Sequence, residues 1–149
     1  MKVFNFRLDA VLKLRKSHRD KALEALGHAA KNADVLRKQI SSLEHKLTTI
    51  KAQISENRRN NFSGQQEESF QGNLKNIRKS ILDVNVNLQN ALKIHDAKRK
   101  IFIKADADHK SLLNLKEKKS LEFHYTESKK EELETDDIIG SRYVFNLNN

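Results

Sequence analysis

The chain has no cysteine, no proline and no tryptophan, and only four glycines among its 149 residues. Without cysteine there is no disulfide, no thiolate metal centre and no thiol nucleophile. Without proline, nothing imposes a break on a helix. The glycines stand singly, at 27, 64, 72 and 140, so no glycine-rich phosphate loop exists. Long apolar runs are also missing: the longest is three residues, as in Ile101-Phe102-Ile103. That is too short for a membrane span or a signal-peptide core, so the expected location is the cytoplasm, with no integral membrane segment. Aromatic residues make up 6 % and charged residues 33 %. Such a balance fits either disorder or a long coiled coil, and the spacing of the apolar residues has to decide.

That spacing is regular. Taken at steps of four and three, the positions from Leu8 to Ile54 are Leu8, Leu12, Arg15, Arg19, Ala22, Leu26, Ala29, Ala33, Leu36, Ile40, Leu43, Leu47, Ile50 and Ile54. Twelve of the fourteen are apolar, in one unbroken phase. A mean step of 3.5 residues is the period of a left-handed coiled coil, and a disordered chain has no reason to keep it. At the rise of an α-helix this seam spans roughly 70 Å, more than a compact core can cover, so a partner helix must lie along it. Arg15 and Arg19 weaken the seam locally, although their stems can pack while their heads reach water.

The stretch 57–69, NRRNNFSGQQEES, breaks the pattern with turn-forming Asn, Ser and Gly, and Ser63 is placed to cap a following helix. A second seam follows: Phe70, Leu74, Ile77, Ile81, Val84, Leu88, Ala91 and His95. It drifts on through Lys98, Phe102, Ala105, His109 and Leu112. The expected fold is therefore all-α, one long antiparallel two-helix coiled-coil hairpin. Helix one is expected over about 6–57, the bend within 57–69 and helix two over about 70–140, ending near Gly140 with a frayed tail. A bend near residue 63 makes the numbers of facing residues add to roughly 125. Arg19 then falls near Asp106, Arg15 near His109 and Leu112, and Leu8 near residue 117. Residues beyond about 120 overhang the N-terminus, and the overhang carries six acids between Glu127 and Asp137.

The formal charge is +9 and uneven: residues 1–60 hold 14 Lys and Arg against 6 Asp and Glu, the remainder 15 against 14. A basic half attracts acidic partners of any kind. The cations are spread around the helix, however, and no basic block precedes a zipper, so nucleic acid is not the expected partner. The six histidines, at 18, 28, 45, 95, 109 and 124, include no pair spaced i, i+4 and no HExxH, so no metal is expected. A two-helix hairpin offers no enzyme-sized cavity, and the paired Asp136 and Asp137 have no apolar pocket to tune them. The expectation is a non-enzyme without cofactors. A structural rod made of two parallel copies is the alternative that the bend argues against.

The opening Phe4-Asn5-Phe6-Arg7-Leu8-Asp9-Ala10-Val11-Leu12-Lys13-Leu14-Arg15 resembles the FliJ family of flagellar export, which often begins F-x-F-R-L-x-x-V-L-x-x-R. Asp136-Asp137-Ile138-Ile139-Gly140-Ser141-Arg142 is similar to the family's D-E-I-A-x-x-R, with Asp137 in place of Glu and Ile139 in place of Ala. The resemblance implies a central-stalk component of the flagellar type III export apparatus. Its implied partners are the hexameric export ATPase FliI, the membrane export gate protein FlhA and export chaperones. It further implies peripheral association with the inner membrane at that apparatus. Carried onto this chain, it places the ATPase-ring contact at Arg7, Lys13, Arg15, Lys16 and Arg142. The gate contact falls on Phe70, Leu74, Ile77 and Ile81, which match the family stripe F-x-x-x-L-x-x-A-x-x-x-H in spacing but are aliphatic at its third and fourth positions. These four are also seam positions. A stalk of a virulence-type secretion system is the near alternative.

Overall fold

In the computed structural model, which describes residues 2–60 and 63–148, two α-helices carry the chain: α1 (Asp9–Arg59) and α2 (Gly64–Asn148). They pack against each other as an all-α antiparallel hairpin, with no strand among the described residues. The first turn of α1 is tied down by the Asp9 amide donating to the Phe6 carbonyl at 3.1 Å and the Leu12 amide to the Leu8 carbonyl at 2.9 Å. Asp9 lies in that turn and Arg58 and Arg59 in the last, each of the sign that the helix dipole favours.

The start of α2 is a capping box. The Gln66 amide donates to Ser63 Oγ at 3.3 Å, and the Ser63 amide donates to Gln66 Oε1 at 3.2 Å. Two amide donors at this helix start are thereby satisfied reciprocally. Part of the expected bend, Asn61 and Phe62, lies outside the described residues. On either side the helices come closer to it than expected, to Arg59 and from Gly64.

All fourteen positions of the first seam are buried or half-buried, and within residues 8–59 only Asp9, Ser17, Ala25 and Asn57 join them. The second seam is covered at every position from Phe70 to Leu112. Ala33 at 2 %, Ile54 at 4 % and Leu74 at 5 % exposure are among the deepest. No described side chain is fully enclosed. A two-helix seam is one layer thick, so solvent reaches each side chain from the flanks. The same openness explains how Arg15 and Arg19 occupy seam positions without a buried charge.

The chain divides into two compact units, Met1–Asp20 with Lys104–Asn149, and Lys21–Ile103. In the first, Lys116 Nζ donates to Asp9 Oδ1 at 3.2 Å and Arg15 Nη1 donates to the Asp108 carbonyl at 3.0 Å. Arg19 Nη1 approaches His109 Nδ1 at 3.4 Å, and the Phe4 and Phe123 rings meet at 5.6 Å between centroids. In the second, Arg58 Nε donates to Glu67 Oε1 at 2.9 Å. Within each unit the paired residue numbers add to within a few of 125, the register that follows from a bend near residue 63.

One expectation needs correction. Gly140 does not end α2, which continues to Asn148. A glycine costs a helix only about 1 kcal/mol relative to alanine, and without a left-handed backbone it is one more helical residue. Arg19, which the register sets near Asp106, bonds within its own helix: its Nη2 and Nε both reach Asp20 Oδ1, at 2.9 and 3.2 Å. Asp106 is occupied by Lys110 one turn on, at 2.7 Å. Five acid-to-base pairs at i, i+4 have the acid first: Asp9–Lys13, Glu24–His28, Asp34–Lys38, Asp96–Lys100 and Asp106–Lys110. That order suits the helix dipole.

Candidate interaction surfaces

The residues expected to meet partners fall in two places, one built by the terminal segments and one beside the bend. At the terminal segments, residues 2–6 have no regular structure, and Arg7 and Leu8 turn the chain into α1. Phe4 stacks at a tilt against both Phe6, at 6.4 Å, and Phe123 of α2. These rings pin the N-terminal strap to α2, each such pair adding about 0.5–1.5 kcal/mol beyond its area. Under the strap lies a cavity of about 400 Å³, with Phe4, Phe6, Leu8 and Leu115 as apolar walls and Arg7 and Lys119 as its cations.

The five basic residues expected to contact the ATPase ring all belong to this unit. They are not equally available. Arg7, Lys16 and Arg142 are exposed and form no ion pair among the described residues. Lys13 is exposed but lies 3.5 Å from Asp9 Oδ2. Arg15 is half-buried, with its guanidinium committed to the Asp108 carbonyl. The hydrogen bond from Lys116, aided by Lys13, holds the Asp9 carboxyl below the usual aspartate range. From Ser128 to Asn148 every residue is exposed, including Ile138, Ile139, Tyr143, Val144 and Phe145. This stretch of α2 has no covering helix within its unit, and its apolar residues remain open to a partner.

His109 is the one buried polar residue of the core among the described residues, at 7 % exposure. Its Nδ1 stands 3.4 Å from Arg19 Nη1, and in that contact the guanidinium can only donate. The aromatic pair Phe4–Phe123 and the ion pair Asp9–Lys116 were not singled out from the sequence. Both follow from the register that sets Leu8 near residue 117, so the signal was present.

In the second unit the stripe expected to meet the export gate lies on the seam itself. Leu74 is buried, and Phe70, Ile77 and Ile81 are half-buried. Leu74 and Ile54 share the floor of a groove near the bend whose rims carry Lys51, Arg58, Arg59 and Arg78. Among the described residues no three His, Asp or Glu side chains are grouped to hold a metal ion, and no helix is long and apolar enough to cross a membrane.

An antiparallel coiled-coil hairpin with exposed basic and apolar faces defines a structural, surface-binding class of protein. The family model described as Flagellar FliJ protein matches residues 4–147. The chain belongs to the FliJ family, structural stalk proteins related to flagellar export. No curated protein and no solved structure matches it.

Proposed function

We propose that this chain is the non-enzymatic central stalk of the flagellar type III export apparatus. It binds the ring of the export ATPase FliI, couples it to the membrane gate protein FlhA and escorts export chaperones at the cytoplasmic face of the inner membrane. The observation that carries this reading is the family match over nearly the whole chain. It also favours a flagellar over a virulence-type system.

The unit holding both terminal segments supplies the ring contact, through Arg7, Lys13, Arg15, Lys16 and Arg142. Because Arg15 also binds α2, the discriminating variant reverses Arg7, Lys16 and Arg142 only. The triple variant R7E/K16E/R142E is expected to lose stimulation of the ATPase with helicity unchanged, since exposed charges act through a field that salt screens within about 8 Å. Full stimulation by that variant excludes this surface. The gate contact uses the stripe Phe70, Leu74, Ile77 and Ile81, with the half-buried Phe70 rather than the buried Leu74 as its accessible member. Phe70→Ala is expected to weaken capture of the FlhA linker while lowering the thermal midpoint little. A large loss of stability with capture intact assigns Phe70 to the seam alone.

A further inference from the structure

We propose that the basic face of the Lys21–Ile103 unit beside the bend binds the anionic surface of a lipid bilayer directly. Two adjoining depressions, of about 420 and 750 Å³, share Gln71 and Arg78. Lys51, Arg58, Arg59, Lys75, Arg78 and Lys79 line them, and among the described residues no carboxylate does. Among the described residues only Arg58 of these six has an acidic partner, Glu67. Elsewhere the lysines are commonly paired, as Lys38, Lys100, Lys110 and Lys130 are. Five of the six have no acidic partner among the described residues, so the cations repel one another, and an anionic surface relieves that repulsion.

The same face carries exposed apolar side chains. Lys75, Lys79, Leu82 and Val86 follow at steps of four, three and four, which puts them on one side of α2. Leu82 is 66 % and Val86 60 % exposed. Apolar residues between lysines are the pattern of a helix lying in a bilayer interface. The lysine stems rest along the apolar boundary and the ammonium groups sit among the headgroups. Clusters of four to eight Lys and Arg bind anionic lipids in this way.

Nucleic acid fits less well, because among the described residues no aromatic side chain lines either depression to stack on a base. An acidic peptide also fits less well. The larger depression is lined by α2 alone, so it is one face of a single helix and has no second wall to grip a peptide. Lipid headgroups need no such slot, since they diffuse laterally and gather beneath the cations. The contact requires no protein in the membrane, so it stands or falls separately from the coupling to the gate.

The test is sedimentation of the full chain with vesicles of phosphatidylcholine, with and without phosphatidylglycerol, at low and high salt. Binding is expected only to the anionic vesicles and is expected to weaken with salt. In K75E/R78E/K79E the partition coefficient is expected to fall by about a hundredfold or more, from the usual contribution of each basic residue near such a surface. K21E/K31E/R37E carries the same charge change elsewhere in the unit and is expected to lose far less. Circular dichroism confirms that both variants remain helical. Equal loss in the two variants overturns the proposal, because net charge alone then explains binding. Equal binding to both vesicle types overturns it, as does tighter binding, at the same salt, to a single-stranded oligonucleotide or to polyglutamate.

Discussion

Ala33 is 2 % exposed, while Ala30, three residues before it, is exposed. Side chains at i and i+3 on a helix lie near one another, yet the seam is narrow enough to separate these two. Ala33→Leu adds three carbons where the second helix already fills the space, and is expected to cost about 1–3 kcal/mol. Ala30→Leu points to water and is expected to stay within about 0.5 kcal/mol of the parent. Urea unfolding followed by circular dichroism measures both, and equal effects would show the phase of the seam to be wrong. Asp9 gives a second prediction at this scale. Its folded carboxyl titrates below the ordinary aspartate range, first because Lys116 donates to it and then because Lys116 and Lys13 are positive. The contribution is therefore present at neutral pH and is lost as pH falls through the folded value. The thermal midpoints of the parent and of Asp9→Asn are expected to differ at pH 7 and to converge in acid below the aspartate range. A difference that persists in strong acid would assign the effect to packing.

At the scale of the element, α2 begins at one set of hydrogen bonds and, among the described residues, ends without any comparable device. Ser63 and Gln66 satisfy each other's amides, and Glu67 adds favourable charge to the same turn. Ser63→Ala removes the capping oxygen and is expected to cost about 1 kcal/mol, whereas Ser63→Asp keeps an acceptor and restores most of it. Hydrogen exchange at the Gln66 amide is the direct readout: faster in Ser63→Ala, near the parent rate in Ser63→Asp. Unchanged exchange in the alanine variant would mean that the cap does not hold the helix start. The cap was legible in the sequence, since Ser63 stands among turn formers ahead of an apolar repeat, although the helix itself was expected only from about residue 70 and begins at Gly64. The other end was not. Gly140 reads as a terminator, but stopping a helix needs a left-handed residue or a lost donor as well as a weak propensity, and Gly140 supplies neither.

For the whole molecule, a strict period was sufficient to read both seams, because a shift of phase would have exposed the apolar residues of a seam together. The bend and the two seams together also set the pairing, which Asp9–Lys116 and Arg15–Asp108 follow in one unit and Arg58–Glu67 in the other. The sequence was less informative about side-chain partners. The register sets Arg19 near Asp106, yet Arg19 bonds Asp20 and Asp106 is held by Lys110, a choice that no spacing rule fixes. It was also less informative about surfaces. The gate stripe and the seam use the same residues, so spacing alone could not separate a binding face from a core, and the structure places Leu74 within the core. The unpaired cations beside the bend come from two segments, around 51–59 and 71–79, that adjoin only once the chain has folded back.

That folding back is open to a direct measurement. The natural chain has no cysteine, so Asp9→Cys with Lys116→Cys introduces the only two thiols. A short bis-maleimide added to dilute protein should join them within one chain and leave the mass of a monomer, because Asp9 Oδ1 and Lys116 Nζ lie 3.2 Å apart in the hairpin. A covalent dimer in place of the intramolecular product, or two thiols left unbridged in folded protein, would contradict the antiparallel hairpin.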